Sequence, residues 1–520
     1  MTRTLLAGGR VRCPGRTDAT AMLVDGERVA WVGASADADR ADADQVVELG
    51  GAYVTAAFVD AHVHSTSTGL ALTGLDLTGT PSLAAALAAV ERFARDRRGL
   101  GILLGHGWDE STWPERRPPT RQELDRATYG SAVYLSRIDV HSAVASSALL
   151  SALRTARPDI ASADGWSDDG LLRRDAHHQA RALALESVPA TQRDAARRAT
   201  RARCAELGIG AFHELGGPSI SSAEDFAAIL ALGAEPGPQI VGYWGELGGI
   251  DRARELGAKG AAGDLFADGS IGSHTAHLRT VYADHDDAGF GYLSAAQVRD
   301  HVVACTQAGL QAGFHVIGDA ALDTVVAGFI EAAAEVGVEA VRAARHRLEH
   351  VEMPDAGHLV AMAALGVYAS VQPVFDALWG GGDGMYVTRL GQDRAAGMNP
   401  FAAMAAAGVG LALGSDSPVT PLGPWHAVRA AVAHRTAGSG MTAEDAFVAH
   451  TVGGWRAAGV DDAGHLEPGA VASYAVWDRE PDLDPAHPDT GAAAHPWTAP
   501  TCLRTAVRGN PVYTLEGALQ

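Results

Sequence analysis

Three polar side chains stand at alternate positions in the stretch AFVDAHVH, residues 57–64: Asp60, His62 and His64. In a β-strand, side chains two apart share a face, so both imidazoles would project the same way and could close on one metal ion. With 21 histidines in the chain, one His-x-His pair carries little weight alone. It needs further ligands on other strand ends. His315 in LQAGFHVIGD, His350 in HRLEHVE and Asp416 in GVGLALGSD each lie near the C-terminal end of an apolar run. A lone His at such a place is more often structural, and an Asp before Ser-Pro is commonly a turn residue. The coincidence of all five is what points to a site of nitrogen and oxygen ligands, suited to Zn²⁺, Mn²⁺ or Fe²⁺.

The elements that would position them can be read from periodicity. Apolar runs at 57–64, 208–215, 238–245, 263–269, 310–319, 346–352, 366–373 and 408–416 alternate with alanine-rich helical segments. Eight such βα units predict an α/β fold, a (β/α)8 TIM-like barrel with its active site at the strand C-termini. Short strand-like runs with Gly and Asp turns occupy both chain ends, and they predict a small β-sandwich domain built from residues 1–56 and 465–520. The barrel would then span 57–464, with a lid-like insertion over residues 70–200.

Composition narrows the function class. A net charge of −21 and a pI near 5.4 disfavour nucleic acid and anionic membrane as partners, since both need a positive footprint. Cys13, Cys204, Cys305 and Cys502 form no C-x-x-C pattern, so neither a disulfide framework nor a thiolate zinc site is indicated. The N-terminus lacks a signal-like apolar region, and the longest apolar stretch, 401–414, is short of a membrane span. The expectation is a cytoplasmic protein with a small-molecule substrate; a homodimer is left open.

The pieces AFVDAHVH, HGWDESTW, DVHSAVASSAL, FADGSIGSHTA, HVIGDAA, RLEHVE, SVQP, NPF, GSDSP and HLEPGAVASYAVWD run in order along the chain. Together they resemble the amidohydrolase superfamily, and specifically the YtcJ-like group that includes N-substituted formamide deformylases. The resemblance implies a hydrolase that cleaves a C–N bond of an amide, N-substituted formamide or cyclic amide with water activated by a metal. By the same resemblance, His62 and His64 hold the more buried metal, and His315 and His350 serve a second position or the water. Asp416 both ligates and acts as base, and His350 polarises the substrate oxygen or orients the water. A deaminase of the same superfamily is the alternative, as is a catalytically silent ligand-binding barrel.

One position departs from the group. Where it carries a carboxylated lysine on the fourth strand, this chain has Asp264, and its only lysine, Lys259, lies five residues earlier on the opposite strand parity. Two arrangements keep a metal. In the favoured one, a single Zn²⁺ is held by His62, His64, His315 and Asp416, with His350 near the water; in the other, two ions are bridged by Asp264. Trp108 and His141 in the insertion, together with Asp268, are candidate substrate-binding residues. Trp113, His213 and Glu214 are further candidates for the mouth, with structural packing an equal explanation.

Overall fold

The computed structural model describes residues 2–97, 101–484 and 497–519. Eight parallel strands form one sheet in chain order: β1 Phe58–Val63, β2 Ile209–Gly216, β3 Gln239–Trp244, β4 Gly260–Ala261, β5 Gln311–Val316, β6 Arg347–His350, β7 Tyr368–Val371 and β8 Gly410–Leu413. The sheet curls until its edges meet near their C-terminal ends. There Asp416 N–H donates to the His62 carbonyl at 2.8 Å and His64 N–H to the Ser417 carbonyl at 3.0 Å. Every residue of β1, β2 and β5 is buried, as expected of parallel strands covered by helices on the outer face and packed side chains within. The helix before β5, Ala295–Ala308, shows the local logic: Ser294 and Gln297 form a capping box, and Gly309 at φ 69° ends it.

The fourth strand differs from expectation. Regular pairing is confined to Gly260–Ala261, and residues 263–269 do not form a strand. Gly263 has φ +94°, and a Cβ there would fall 2.4 Å from the Leu215 side chain. The chain therefore bends out of the sheet at this glycine. It then runs beside β5 through irregular bonds, His315 N–H to the Leu265 carbonyl at 3.0 Å and Ala267 N–H to the His315 carbonyl at 2.9 Å. Lys259 precedes β4, far from the barrel mouth, with its Nζ beside Gly459.

Within residues 70–200 lies a five-stranded sheet with Val133–Arg137 at its centre. Trp108, Trp113, Leu124 and Leu135 form part of its own core. Outside the barrel, residues 3–48 supply a four-stranded sheet, and strands from both chain ends make a five-stranded one: Arg10–Val11, Tyr53–Ala56, Tyr474–Trp477, Cys502–Val507 and Asn510–Thr514. Leu6, Val24, Val54, Val476 and Ala506 from the two sheets share one core. No helix among the described residues is long and apolar enough to cross a membrane.

Trp477 ties this end sheet to the barrel. Its indole N–H donates to Thr55 Oγ1 at 2.9 Å, and its ring lies edge-on to Phe58 and Trp425 at 5.8 and 5.4 Å. It also covers Gly208, where a Cβ would meet the ring at 2.3 Å. Trp477→Ala is expected to cost about 3–5 kcal/mol, read as a lower urea midpoint. A midpoint equal to wild type would show that this junction does not carry the fold.

Candidate metal centre

Four imidazoles surround two carboxylates at the closed end of the barrel. His62 and His64 come from β1 and the residue after it, His315 from β5, His350 from the end of β6 and Asp416 from just beyond β8. Asp264 comes from the irregular segment after β4. His62 Nε2 lies 3.2 Å from Asp416 Oδ1 and 3.5 Å from Asp264 Oδ1; His64 Nε2 lies 3.1 Å from Asp416 Oδ1 and 3.1 Å from Asp264 Oδ2. His315 Nδ1 and His350 Nε2 approach Asp264 Oδ1 at 3.7 and 3.9 Å. The short aspartate side chain thus reaches all four rings.

The outward nitrogen of each ring is fixed. His62 Nδ1 donates to Glu349 Oε2 at 3.1 Å, His64 Nδ1 to the Leu215 carbonyl at 2.9 Å, His315 Nε2 to the Gly269 carbonyl at 3.2 Å and His350 Nδ1 to Gln372 Oε1 at 2.8 Å. These bonds set the tautomers, so the inward nitrogen of every neutral ring carries a lone pair. Arg347 fixes Glu349 in turn through Nε at 2.5 Å and Nη2 at 2.9 Å, while also donating to His213 and to the Ala61 carbonyl. His213 is therefore part of the barrel interior. Glu214 accepts from the Ser65 N–H and hydroxyl.

The inward atoms suit a cation. His62 Nε2, Asp264 Oδ1 and Asp416 Oδ1 are buried without hydrogen-bond partners, although they lie within ion-pair range. Ligands about 2.0–2.2 Å from a tetrahedral ion stand roughly 3.3–3.5 Å apart. Asp416 Oδ1 lies 3.1–3.2 Å from His62 Nε2 and His64 Nε2, and these three residues can present one atom each to such an ion; Asp264 faces the two histidines with different oxygens. His62, Asp264 and His350 make a second cluster of ligand atoms, with His315 beside it.

Electrostatics tells the same story. Burial opposes charge on His62, but Asp416 and Asp264 outweigh it and hold this imidazole well above its usual pKa; His64 rises against the same burial to about 9. Burial likewise opposes the charges on Asp264 and Asp416, yet the neighbouring histidines keep both below the usual carboxylate range. Protons on His62 and His64 balance the buried anions where a divalent cation would otherwise do so. Glu349 is held at about 2 against its burial by Arg347 and His62.

Above the site lies a cavity of about 30 Å³, whose lining includes Asp139, His141, His315, His350, Glu352 and Asp416. A larger cavity of about 390 Å³ opens on the other side of His64, beside Ser67, Leu185 and Ile220. The larger one reaches the cluster through His64, the small one through His315, His350 and Asp416. His141 reaches it, 5.0 Å from the His315 ring, and burial with the nearby His315 lowers it to about 3.

Two expected mouth residues lie elsewhere. Trp108 is buried in the insertion's core, where its indole N–H finds the Leu135 carbonyl at 2.9 Å and Trp113 packs beside it. Asp268 turns away from the metal cluster to accept from the N–H groups of Ile317, Gly318 and His277 at 2.8–3.0 Å, fixing the turn after β5. Conversely, Asp139, Glu352, Phe375, Trp379 and Tyr386 line the cavity without having been expected there. Asp139 closes the insertion onto the barrel, since its Oδ2 accepts from Arg137 and from the Ser270 and Ser273 hydroxyls, each at 2.8 Å. The SRIDVHS and DGSIGS stretches that carry these residues are separated by more than a hundred positions, so no local pattern joins them.

Comparison with known proteins gives four informative similarities. The model of the amidohydrolase family matches residues 45–513. The chain is 26% identical over 511 residues to an N-substituted formamide deformylase of Arthrobacter pascens (89% of this chain, 90% of that protein), and 26% identical over 429 residues to the putative amidohydrolase YtcJ of Bacillus subtilis strain 168 (75% of each). The crystal structure of an uncharacterized metal-dependent hydrolase from Pyrococcus furiosus superposes with a TM-score of 0.71 at 25% identity, covering 92% of this chain and 99% of that one.

The raised imidazoles give the metal-free protein a distinctive pH response. His64 titrates at about 9 when folded against 6.5 ordinarily, so its stabilisation is complete below the lower value and is lost as pH rises through the higher one. The lowered Asp264 and Asp416 act oppositely, losing theirs only in acid. The thermal midpoint of chelated protein is expected to fall from pH 6.5 to 9, while zinc-loaded protein, whose ligand histidines are already neutral, shows no such fall. A flat or rising profile for chelated protein would contradict the arrangement of charges.

Proposed function

Because this chain belongs to the amidohydrolase family, we propose that it is a metal-dependent hydrolase cleaving the C–N bond of a small amide, with N-substituted formamides the best-supported class. The observation that carries this reading is the convergence of the unpartnered His62 Nε2, Asp264 Oδ1 and Asp416 Oδ1 inside a ring of histidines locked from behind. His62, His64, Asp264 and Asp416 would hold one zinc ion, and Asp264 with His315 and His350 offers a place for a second. Such an ion supplies Lewis acidity and brings the pKa of water near ~7.

The chain's own residues do the rest. Asp416 lines the cavity, where it takes a proton from the attacking water and returns it to the departing nitrogen. His350, held by Gln372, presents its Nε2 lone pair to the attacking water and orients it. Phe375, Trp379, Met385, Ile271 and Val419 form the apolar wall that limits water to the reacting molecule. The cavity beside these residues is a small one, which favours a small acyl group such as formyl. The name of the Arthrobacter relative agrees with that preference. We also take residues 2–56 with 465–519 as one small β domain, and the insertion within 70–200 as the lid over the mouth.

Protein produced with zinc and manganese in the medium is expected to retain at least about one equivalent of metal and to release formate from N-formyl amines faster than acetate from N-acetyl amines. His62→Ala should lose both metal and turnover. Metal below about one tenth of an equivalent, or turnover surviving His62→Ala, would remove the assignment. Ammonia as the first product would instead identify a deaminase.

A further inference from the structure

Glu352 is a buried acid that no cation neutralises. It lies two residues beyond His350 and is 3% exposed. Among the described residues, the Tyr386 hydroxyl, which donates to Oε2 at 2.7 Å, is the hydrogen-bond partner of its carboxyl, and the carboxyl enters no ion pair. Other buried acids are better satisfied. Glu349 has Arg347, Asp139 has Arg137 and two serine hydroxyls, Asp225 has Arg197, and Asp268 has three backbone N–H groups. A carboxyl group has room for several donors, and leaving such capacity unused in a buried site is costly.

Glu352 and Tyr386 also share the wall of the small cavity with His350 and Asp416. The pair is held from outside that space: the Glu352 carbonyl accepts from Asn399 N–H at 2.8 Å, with Asn399 at φ +51° in the NPF segment. Tyr386 is 1% exposed on the helix Met385–Leu390. This fixes a hydrogen-bond acceptor in the same space as the group that passes protons to the departing nitrogen.

We propose that Glu352, oriented by Tyr386, is the subsite for the N–H of the scissile amide, so that the enzyme selects amides carrying a hydrogen on that nitrogen. The inference rests on the hydrolase reading above and adds a specificity determinant to it. Bulk alone would not distinguish an amide N–H from an ester oxygen, whereas an acceptor at this position does, because the ester has no donor to offer it.

The test compares N-butylformamide with butyl formate, which replaces N–H by oxygen and adds no bulk. Zinc-loaded wild type is set beside Glu352→Leu/Tyr386→Phe, which removes both partners at once, and beside Tyr386→Phe alone. Zinc content and circular dichroism check the fold. In the double variant, kcat/KM for the amide is expected to fall at least about 20-fold more than for the ester, the signature of losing one substrate hydrogen bond in a buried site. Tyr386→Phe should shift the ratio in the same direction by a smaller factor. Equal losses on both compounds, or no loss on either, would overturn the proposal. If the double variant fails to fold, an unchanged ratio in Tyr386→Phe overturns it. Should wild type turn over neither compound, calorimetric affinities for the same pair decide. An amide preference that depends on Glu352 keeps the subsite while the hydrolase reading falls, and its absence overturns the subsite too.

Discussion

The structure depends on the placement of two aspartates, Asp264 and Asp416, in a buried space ringed by four imidazoles. Isolated buried carboxylates are costly enough that proteins neutralise or pair them. Here the compensation is shared. Without metal, protons on His62 and His64 balance the charge; with a divalent ion, the same nitrogens become ligands. Either way, positive charge must occupy the centre for the barrel mouth to be stable. The histidines and aspartates are thus linked in folding as well as in chemistry.

That requirement shapes the surrounding layer. Each imidazole could rotate or change tautomer, and each is prevented from doing so by an acceptor behind it: Glu349, the Leu215 carbonyl, the Gly269 carbonyl and Gln372. The Glu349 charge would itself be costly in the barrel interior, and Arg347 answers it, 4.4 Å above the Tyr243 ring. From these four imidazoles outward, the barrel core is an alternating series of charges and hydrogen bonds. Asp139 with Arg137 continues that series into the insertion, so the insertion and the site share one polar framework.

Much of this was legible in the sequence because it follows from the period of a strand. Alternation in AFVDAHVH is enough to place His62 and His64 side by side, with ring centroids 5.1 Å apart, and the ends of apolar runs locate His315, His350 and Asp416. Asp264 was less legible. The extent of strand four is decided by Gly263, whose positive φ turns the chain out of the sheet and lets a short side chain reach the centre. Trp108 misled for a different reason: an aromatic near a mouth motif reads like a substrate contact, yet its indole N–H and its bulk are both satisfied inside the insertion. Glu352 and Tyr386 meet across 34 positions, a juxtaposition set by the packing of the segment after β7 and by no local pattern.

The central claim is that Asp264 is the carboxylate on which the metal centre closes. Zinc affinity of Asp264→Ala against wild type, measured by competition with a chromophoric chelator on folded protein, tests it most directly. The account predicts a loss larger than the roughly 10–100-fold that removal of an outer hydrogen-bonding partner costs. Wild-type affinity in the Asp264→Ala protein would contradict it, leaving His62, His64 and Asp416 to hold the ion without the fourth-strand carboxylate.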